Sequence, residues 1–463
     1  MPENYDALII GSGQAGGPLA TALTAAGWKV ALVEQEHVGG TCINVGCTPT
    51  KTMIASGRVA YLARRAADYG VQTGPISIDM PKVRQRKRDI VDSFRNGSQR
   101  RIETGKVDLI FGKAHFTGPH AVEIKTNSGD TRQVTADKIF INTGASPSRA
   151  SVPGLENLPT LDSTTVMELD QVPDHLLILG GGYIGLEFGQ LFRRLGSRVT
   201  IIQRGKQLLP REDADIAAEI TKILQEDGLE ILLETSAVSA RSVGEGPIGL
   251  TVRGPAGEQE LTGSHLLQAG GRIPNSADLN LPAAGIEADQ HGFIRVNDRL
   301  ETNVAGVYAL GDIKGGPAFT HISYDDFRIV RDILLQKGGH VSTKDRIVPY
   351  TVFTDPQLGR VGLSENEARE QGRNIEVYKM PMSYVARALE MDESRGLMKA
   401  VVDAGSGQIL GGAILGIEGG EMMAVLQMAM LGRLPYTVLR EAIFAHPTLA
   451  EAFNNLFSQP PAA

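Results

Sequence analysis

The sequence predicts an α/β protein built from two nucleotide-binding units and a smaller C-terminal α+β region. Three observations lead there. Segments 6–34 and 176–203 repeat one strand–turn–helix–strand design, and each turn has the spacing G-x-G-x-x-G. From about Pro349 the pattern changes to short strand-like runs followed by a helix-like run, as a separate α+β region would have. The length, 463 residues, suits roughly three folding units.

In the first repeat, residues 6–10 form an apolar strand and Gly11-Ser12-Gly13-Gln14-Ala15-Gly16 forms the turn. A helix-like run reaches Ala26, and a second strand, 29–33, ends at Glu34. In the second repeat, strand 176–179 leads to Gly180-Gly181-Gly182-Tyr183-Ile184-Gly185. A helix-like run to Leu195 and a strand, 198–202, ending at Gln203 complete it. The first glycine of each set permits a tight turn. The second lets the backbone approach a pyrophosphate, the third lets helix pack on strand, and the helix N-terminus holds the phosphates. Both repeats are therefore Rossmann-like, and two such sites imply two dinucleotides, with FAD and NAD(P)H the natural pair. Glu34, at a strand end, is placed to accept hydrogen bonds from ribose hydroxyls.

Further along, residues 138–142 read as a strand leading to Thr143-Gly144, and 307–310 as a strand ending at Gly311-Asp312. The C-terminal region shows strand-like runs at 350–353, 376–379, 396–402 and 411–417, then a helix-like run at 421–431.

Composition narrows the function classes. The net charge of −7 and the lack of a long Lys/Arg block argue against nucleic acid. The basic stretch 82–88 reads as a solvated helix face. The best apolar candidate for a membrane segment, 409–415, is too short to span. No signal-peptide pattern precedes the first strand, so a cytoplasmic location is expected. Only two cysteines occur, Cys42 and Cys47. That is too few for a secreted disulfide scaffold or a four-ligand zinc site, so no metal site is expected, and a redox or catalytic pair is the leading reading. Pro49 is compatible with the first turn of a helix covering 50–58. Across a helix turn the two thiols can meet and form a disulfide, and a helix N-terminus lowers a thiol pKa. A pair of buried, inert cysteines is the alternative.

The run Gly39-Gly40-Thr41-Cys42-Ile43-Asn44-Val45-Gly46-Cys47-Thr48-Pro49-Thr50-Lys51 resembles the active-site signature of the class I pyridine nucleotide–disulfide oxidoreductases. That family includes dihydrolipoamide dehydrogenase, glutathione reductase and mercuric reductase, and the resemblance extends from about Asp6 to Phe457. It implies FAD, NAD(P)H, a homodimer and a two-electron relay. Gly40 and Thr41 belong with the FAD-binding residues. Cys42 is expected as the thiol that meets the substrate and Cys47 as the thiol facing the flavin, with Lys51 near the flavin and paired with Glu187. Thr143-Gly144 resembles an A-T-G turn with Asn142 in place of Ala. The run from Thr302 to Asp312 resembles the second FAD motif, in which Asp312 binds ribityl hydroxyls. Thr320 is expected near the pyrimidine end and Ala114 near the adenine.

At the second nucleotide site, Tyr183 resembles the tyrosine that covers the flavin until nicotinamide enters. Residues 269–275 resemble the A-x-G-R-x-P-N turn, with Gly271 at the return to the FAD domain. Gln203, where an NADH enzyme usually has an acid, with Arg204 and Lys206 close by, favours NADPH, and NADH is the alternative. Arg204 and Lys206 as mere loop decoration is the other reading. Phe444-Ala445-His446-Pro447-Thr448-Leu449-Ala450-Glu451 resembles the family's H-P-T-x-x-E. It implies that His446 acts as a base toward Cys42 of the other subunit, with Glu451 fixing its tautomer.

The expected organisation is an FAD-binding domain of residues 1–150 and 273–345, an NAD(P)-binding domain of 151–272, and a dimerisation domain of 346–463. Residues 349–356 and 319–323 resemble the mercuric-reductase-like flavoproteins associated with reactive-chlorine and metal stress. The second C-terminal cysteine pair of mercuric reductases is absent from this sequence. The leading expectation is an NADPH-preferring reductase of a metal ion or small oxidant. A disulfide reductase or dihydrolipoamide dehydrogenase is the enzymatic alternative. A flavin-loaded redox sensor or thiol metal-binding protein without turnover is the alternative from another class.

Overall fold

The computed structural model describes residues 2–244, 246–339 and 341–462. The chain is mixed α/β and divides into two compact units. One holds 1–53, 81–148 and 271–346, and the other holds 54–80, 149–270 and 347–463.

In the first unit, strand Glu3–Ile10 lies parallel between Val30–Glu34 and Thr131–Ile141, with Leu8 opposite both Ala31 and Ile139. Asp108–Gly118 adds in parallel beside Val30–Glu34, and Val307–Ala309 beside Thr131–Ile141. Ala121–Thr126 closes the six-stranded sheet as an antiparallel link. A strand buried on both faces reads as a continuous apolar run, and alternate residues feed two cores. Leu8 and Ile10 join one cluster with Ala31, Val33, Ile139 and Ile141. Ala7 and Ile9 join the other with Leu19, Leu23, Leu32 and Phe140.

The second unit contains a four-stranded parallel sheet in the order His265–Gln268, His175–Leu179, Arg198–Ile202, Glu230–Leu232. A three-stranded antiparallel sheet, 236–263, is inserted in sequence between the Glu230–Leu232 and His265–Gln268 strands. The C-terminal part is a five-stranded antiparallel sheet in the order Pro349–Val352, Gln357–Gly362, Ile409–Gly416, Leu397–Asp403, Ile375–Pro381, with helix Gly419–Leu431 behind it in the chain. Met422, Met423 and Leu426 of that helix share a core with Met398, Ala400 and Ile414.

Two features depart from the sequence pattern. Strand Gln357–Gly362 escapes the sequence reading because two glycines and Arg360 break its apolar pattern. Arg360 is buried and its Nε lies 3.4 Å from the Glu212 carboxylate, so a charge fills a core position. The run 409–415, too short to span a membrane, lies in an interior strand, Ile409–Gly416, with neighbours on both edges, in line with the strand-like run expected at 411–417. Among the described residues no helix is long and apolar enough to cross a membrane. The basic stretch 82–88 lies on helix Met80–Thr104, but Lys87 is buried. It sits at helical spacing from Met80 and Val91, both also buried, so its aliphatic stem belongs to the inward stripe.

Candidate functional site

The cysteine segment is held against the first glycine turn by a close backbone approach. Gly40 has φ +65°, and a Cβ there would lie 2.7 Å from the Gly13 Cα. Only glycine lets the two backbones meet in this way. Ser12 secures the same junction: the Gly39 N–H donates to its hydroxyl at 3.1 Å, and that hydroxyl donates to Glu34 Oε2 at 2.6 Å.

Cys42 lies within the short helix Gly40–Asn44, and Cys47 opens helix Cys47–Arg64. The expectation that the two meet across a turn of one helix is thus corrected: Val45 and Gly46 separate two helices. Both residues are thiols here, Cys42 partly buried and Cys47 exposed. The Cys42 thiol is pushed well above its ordinary value, first by its hydrogen bond with Cys47, then by burial, then by the charge of Cys47. Thr320 and Lys51 act in the opposite direction. The lowered pKa expected of a helix N-terminus therefore does not extend to Cys42. Two close thiols disfavour a second negative charge, so the pair shares its ionisation. Thr320, the first residue of helix Thr320–Leu334, brings its Oγ1 to 3.3 Å from the Cys47 Sγ.

The first turn and its surroundings fit an FAD molecule. Glu34, at the end of its strand, accepts from the Ser12 and Glu36 N–H groups and is nearly buried. The Asp312 carboxyl is pushed up by burial, against the opposing charges of Arg272 and Lys314. No hydrogen bond to that carboxylate occurs among the described residues, as suits a group awaiting hydroxyl donors. Gly311 ahead of it is fixed by donating its N–H to the Asp326 carboxylate at 2.8 Å. Thr143 donates to the Asn275 carbonyl at 3.0 Å, and Asn275 returns a bond to the Thr143 carbonyl at 2.8 Å. Two motifs far apart in sequence thus form one turn, beside which the Gly271 carbonyl accepts from Ser148 N–H. Asn142 is buried and bonded to both Gly16 and Leu310. Sequence reading noted it only as a departure from Ala. The Ala114 side chain packs in an apolar core, which leaves its backbone as the part open to a ligand.

The second turn lies in the other unit. A Cβ on Gly185 would sit 2.1 Å from the Gly180 carbonyl oxygen, so glycine is required there. The Gly181 N–H donates to Gln203 Oε1 at 3.1 Å, and Gln203 Nε2 donates to the Gln207 carbonyl at 3.2 Å. The Gln203 amide therefore braces the turn. Arg204 and Lys206 are exposed, and among the described residues neither forms an ion pair. Gly182 meets open space where a Cβ would be, Ile184 is half-buried, and Tyr183 is exposed at the start of helix Tyr183–Leu195. Glu187 on that helix is buried and accepts the Phe353 N–H at 2.9 Å. Lys51 belongs to the first unit and Glu187 to the second.

His446 is exposed, and its Nδ1 lies 2.9 Å from Glu451 Oε2. With Nδ1–H donating to the carboxylate, Nε2 is left as the basic nitrogen. Among the described residues no group of three His, Cys, Asp or Glu side chains could hold a metal ion.

A sequence profile described as pyridine nucleotide-disulphide oxidoreductase matches residues 5–326, and one described as the dimerisation domain of such proteins matches 348–457. The chain is 40% identical over 460 residues to RclA of Escherichia coli, described as a probable pyridine nucleotide-disulfide oxidoreductase, covering 98% of this chain and 99% of that one. It is 35% identical over 451 residues to a mercuric reductase of Bacillus cereus, covering 97% and 70% respectively. A solved structure described as the Cu(II) complex of the HOCl-induced flavoprotein disulfide reductase RclA from Escherichia coli matches with TM-score 0.89 and 39% identity, over 99% of both chains.

Proposed function

The chain belongs to the pyridine nucleotide-disulphide oxidoreductase family, and on that premise we propose that it carries two electrons from NADPH to the Cys42/Cys47 pair and on to a metal ion of the Hg(II) or Cu(II) type or another small oxidant. The observation that carries this reading is the seating of the chain's two cysteines, as interacting thiols, against the first glycine turn. FAD, when bound, supplies the two-electron step between nicotinamide and sulfur.

The residues divide the work as follows. Gly11, Gly13, Gly16, Glu34, Thr143, Gly144 and Asp312 hold FAD. Gly180, Gly182 and Gly185 hold the pyrophosphate of the second nucleotide, and Arg204 and Lys206 meet its 2′-phosphate. Gln203 carries no charge that would repel that phosphate. Oxidation of the two thiols to a disulfide releases two protons and two electrons, enough for one Hg(II) or two Cu(II) ions. Cys42, partly buried and with its ionisation suppressed, needs a base to leave as thiolate. His446 of a second copy, oriented by Glu451, is that base. The exposed apolar side chains Met428, Leu431, Leu434, Val438 and Ile443 supply a surface for the second copy. The Cu(II) complex of one relative and the mercuric reductase name of another favour a metal-ion oxidant.

The test is NADPH oxidation by the FAD-loaded protein with Cu(II), Hg(II), lipoamide and glutathione disulfide in parallel, repeated with Cys42→Ser. Metal-dependent turnover lost in the variant is expected. Strong turnover with one disulfide and none with metal would assign the enzyme to disulfide reduction instead.

A further inference from the structure

Asn142 occupies a place that its counterpart in the second repeat leaves to a methyl group. The two repeats share their backbone bonding at this point. Asn142 N–H donates to the Ile10 carbonyl at 2.8 Å, and Ala269 N–H donates to the Leu179 carbonyl at 2.8 Å. In each case the bonded carbonyl is the last of the strand that leads into a glycine turn. A Cβ on Gly11 would strike the Asn142 carbonyl oxygen at 2.3 Å, and one on Gly180 would strike that of Ala269 at 2.5 Å. Asn142 and Ala269 are therefore equivalent positions, one with a polar side chain and one without.

The Asn142 side chain is buried and spends both ends of its amide. Oδ1 accepts the Gly16 N–H at 2.9 Å, and Nδ2 donates to the Leu310 carbonyl at 2.8 Å. Gly16 is the first residue of helix Gly16–Ala25, so its N–H is one of the donors a helix leaves unpaired at its start. Leu310 immediately precedes Gly311 and Asp312. One amide thus ties the phosphate end of the first site to the segment that carries Asp312. Ala269 has no atom that could do this in the second repeat.

We infer that Asn142 is a positioning residue that couples the first glycine turn to the Asp312 segment, so that the two hold FAD as one rigid cradle and release it slowly. The inference rests on the reading of the first turn as the FAD site. A dinucleotide that stays bound through turnover gains from a pre-tied cradle, because less ordering is left to the binding event. The second nucleotide must exchange at every cycle, and its repeat lacks the tie.

The test uses the full-length protein purified with FAD. Asn142→Ala, which installs the residue of the second repeat, is compared with the parent for FAD release, followed by flavin fluorescence on dilution. Loss of two neutral hydrogen bonds should speed release by about 10-fold. The affinity for NADPH should not change, and the FAD-free protein should melt only slightly lower, because the same two bonds also hold the unloaded fold. Asn142→Asp adds a readout that simple packing would not move. Its protonated carboxyl can accept from Gly16 and donate to Leu310, whereas its carboxylate cannot donate. Release from Asn142→Asp should therefore slow as pH falls, a dependence missing from the parent and from Asn142→Ala. Parent-like release from Asn142→Ala, or a flat pH profile in Asn142→Asp, would overturn the inference. So would a fall in melting temperature of the FAD-free variant that accounts for the loss of FAD. A parent protein that binds no FAD would instead sink the reading of the first site itself.

Discussion

The first and second glycine turns are built on one backbone plan, and the side chains around them give them different tasks. In each, the side chain at the end of the second strand accepts an N–H from inside the turn. Glu34 Oε2 takes that of Ser12 and Gln203 Oε1 that of Gly181, both at 3.1 Å. In the first turn the brace is a carboxylate, helped by a serine hydroxyl and by Asn142. In the second it is a neutral amide, with Arg204 and Lys206 exposed beside it and Ala269 in place of Asn142. A carboxylate suits ribose hydroxyls and repels a 2′-phosphate, whereas an amide with loose cations does the reverse. The loops that follow differ as well. After Glu34 the chain runs to the cysteines. After Gln203 it runs to Asp213, whose carboxylate accepts the Glu365 and Asn366 N–H groups and pairs with buried Lys399 at 2.9 Å.

The largest expected effects come from breaking each turn alone. A Cβ on Gly16 would lie 2.0 Å from the Gly11 carbonyl oxygen, as one on Gly185 would from Gly180 at 2.1 Å. Gly16→Ala should weaken FAD binding, and Gly185→Ala NADPH binding, each by about 100-fold or more, from roughly 3 kcal/mol of overpacking. Each variant should spare the other ligand, as read by bound flavin absorbance and by NADPH titration. Loss of both ligands in either variant would show that the turns are not independent.

A smaller effect separates the two strand ends. Gln203→Glu keeps an acceptor for Gly181 N–H but sets a negative charge beside the cations. It should lower kcat/KM for NADPH by roughly 10- to 100-fold, the worth of one to two charged hydrogen bonds, and raise it for NADH. Unchanged preference would remove Gln203 from nucleotide selection.

The smallest effect concerns the anchor of the second loop. The Lys399 pKa is raised: burial lowers it, but the bonds to Asp213, Glu365 and Asp215 outweigh that. The Asp215 and Glu365 pKa values are lowered: burial raises them, but their bonds to lysines and arginine outweigh it. A raised lysine stabilises the fold fully below its ordinary value of 10.5 and loses that contribution as pH climbs through the raised value. The lowered carboxyls stabilise above their ordinary values of 3.8 and 4.5 and lose it as pH falls through the lowered ones. The cluster's contribution should therefore be flat across neutral pH and fall at both extremes. Melting curves of the parent and of Lys399→Met across pH check this: the difference between them should be constant from about pH 6 to 9. A difference that varies within that range would mean the cluster titrates there.

Both turns were legible in the sequence because their requirements are local: glycines at fixed spacing, an apolar strand before and a helix after. The cysteine segment was legible for the same reason. What the sequence hid depends on partners brought in from afar. Asn142 looked like a departure from Ala, because its partners Gly16 and Leu310 lie far away in the chain. Asn275 gave no sign that it completes the turn at Thr143. Thr320 was read as a flavin contact, and its position against Cys47 appears only when helix Thr320–Leu334 is placed. Strand Gln357–Gly362 was invisible because Arg360 is buried in an ion pair, which no hydropathy pattern reveals. Lys87 is buried within a basic stretch whose Lys82, Arg86 and Arg88 are exposed, because a long stem can follow a buried stripe.

The central claim is that nicotinamide electrons reach the Cys42/Cys47 pair. The most direct measurement is an anaerobic count of thiols, taken on FAD-loaded protein first oxidised and then treated with one equivalent of NADPH. The account predicts that two thiols per chain appear, that alkylation followed by peptide mapping places them at Cys42 and Cys47, the chain's two cysteines, and that Cys42→Ser abolishes the gain. NADPH consumed with no thiol gained would contradict it.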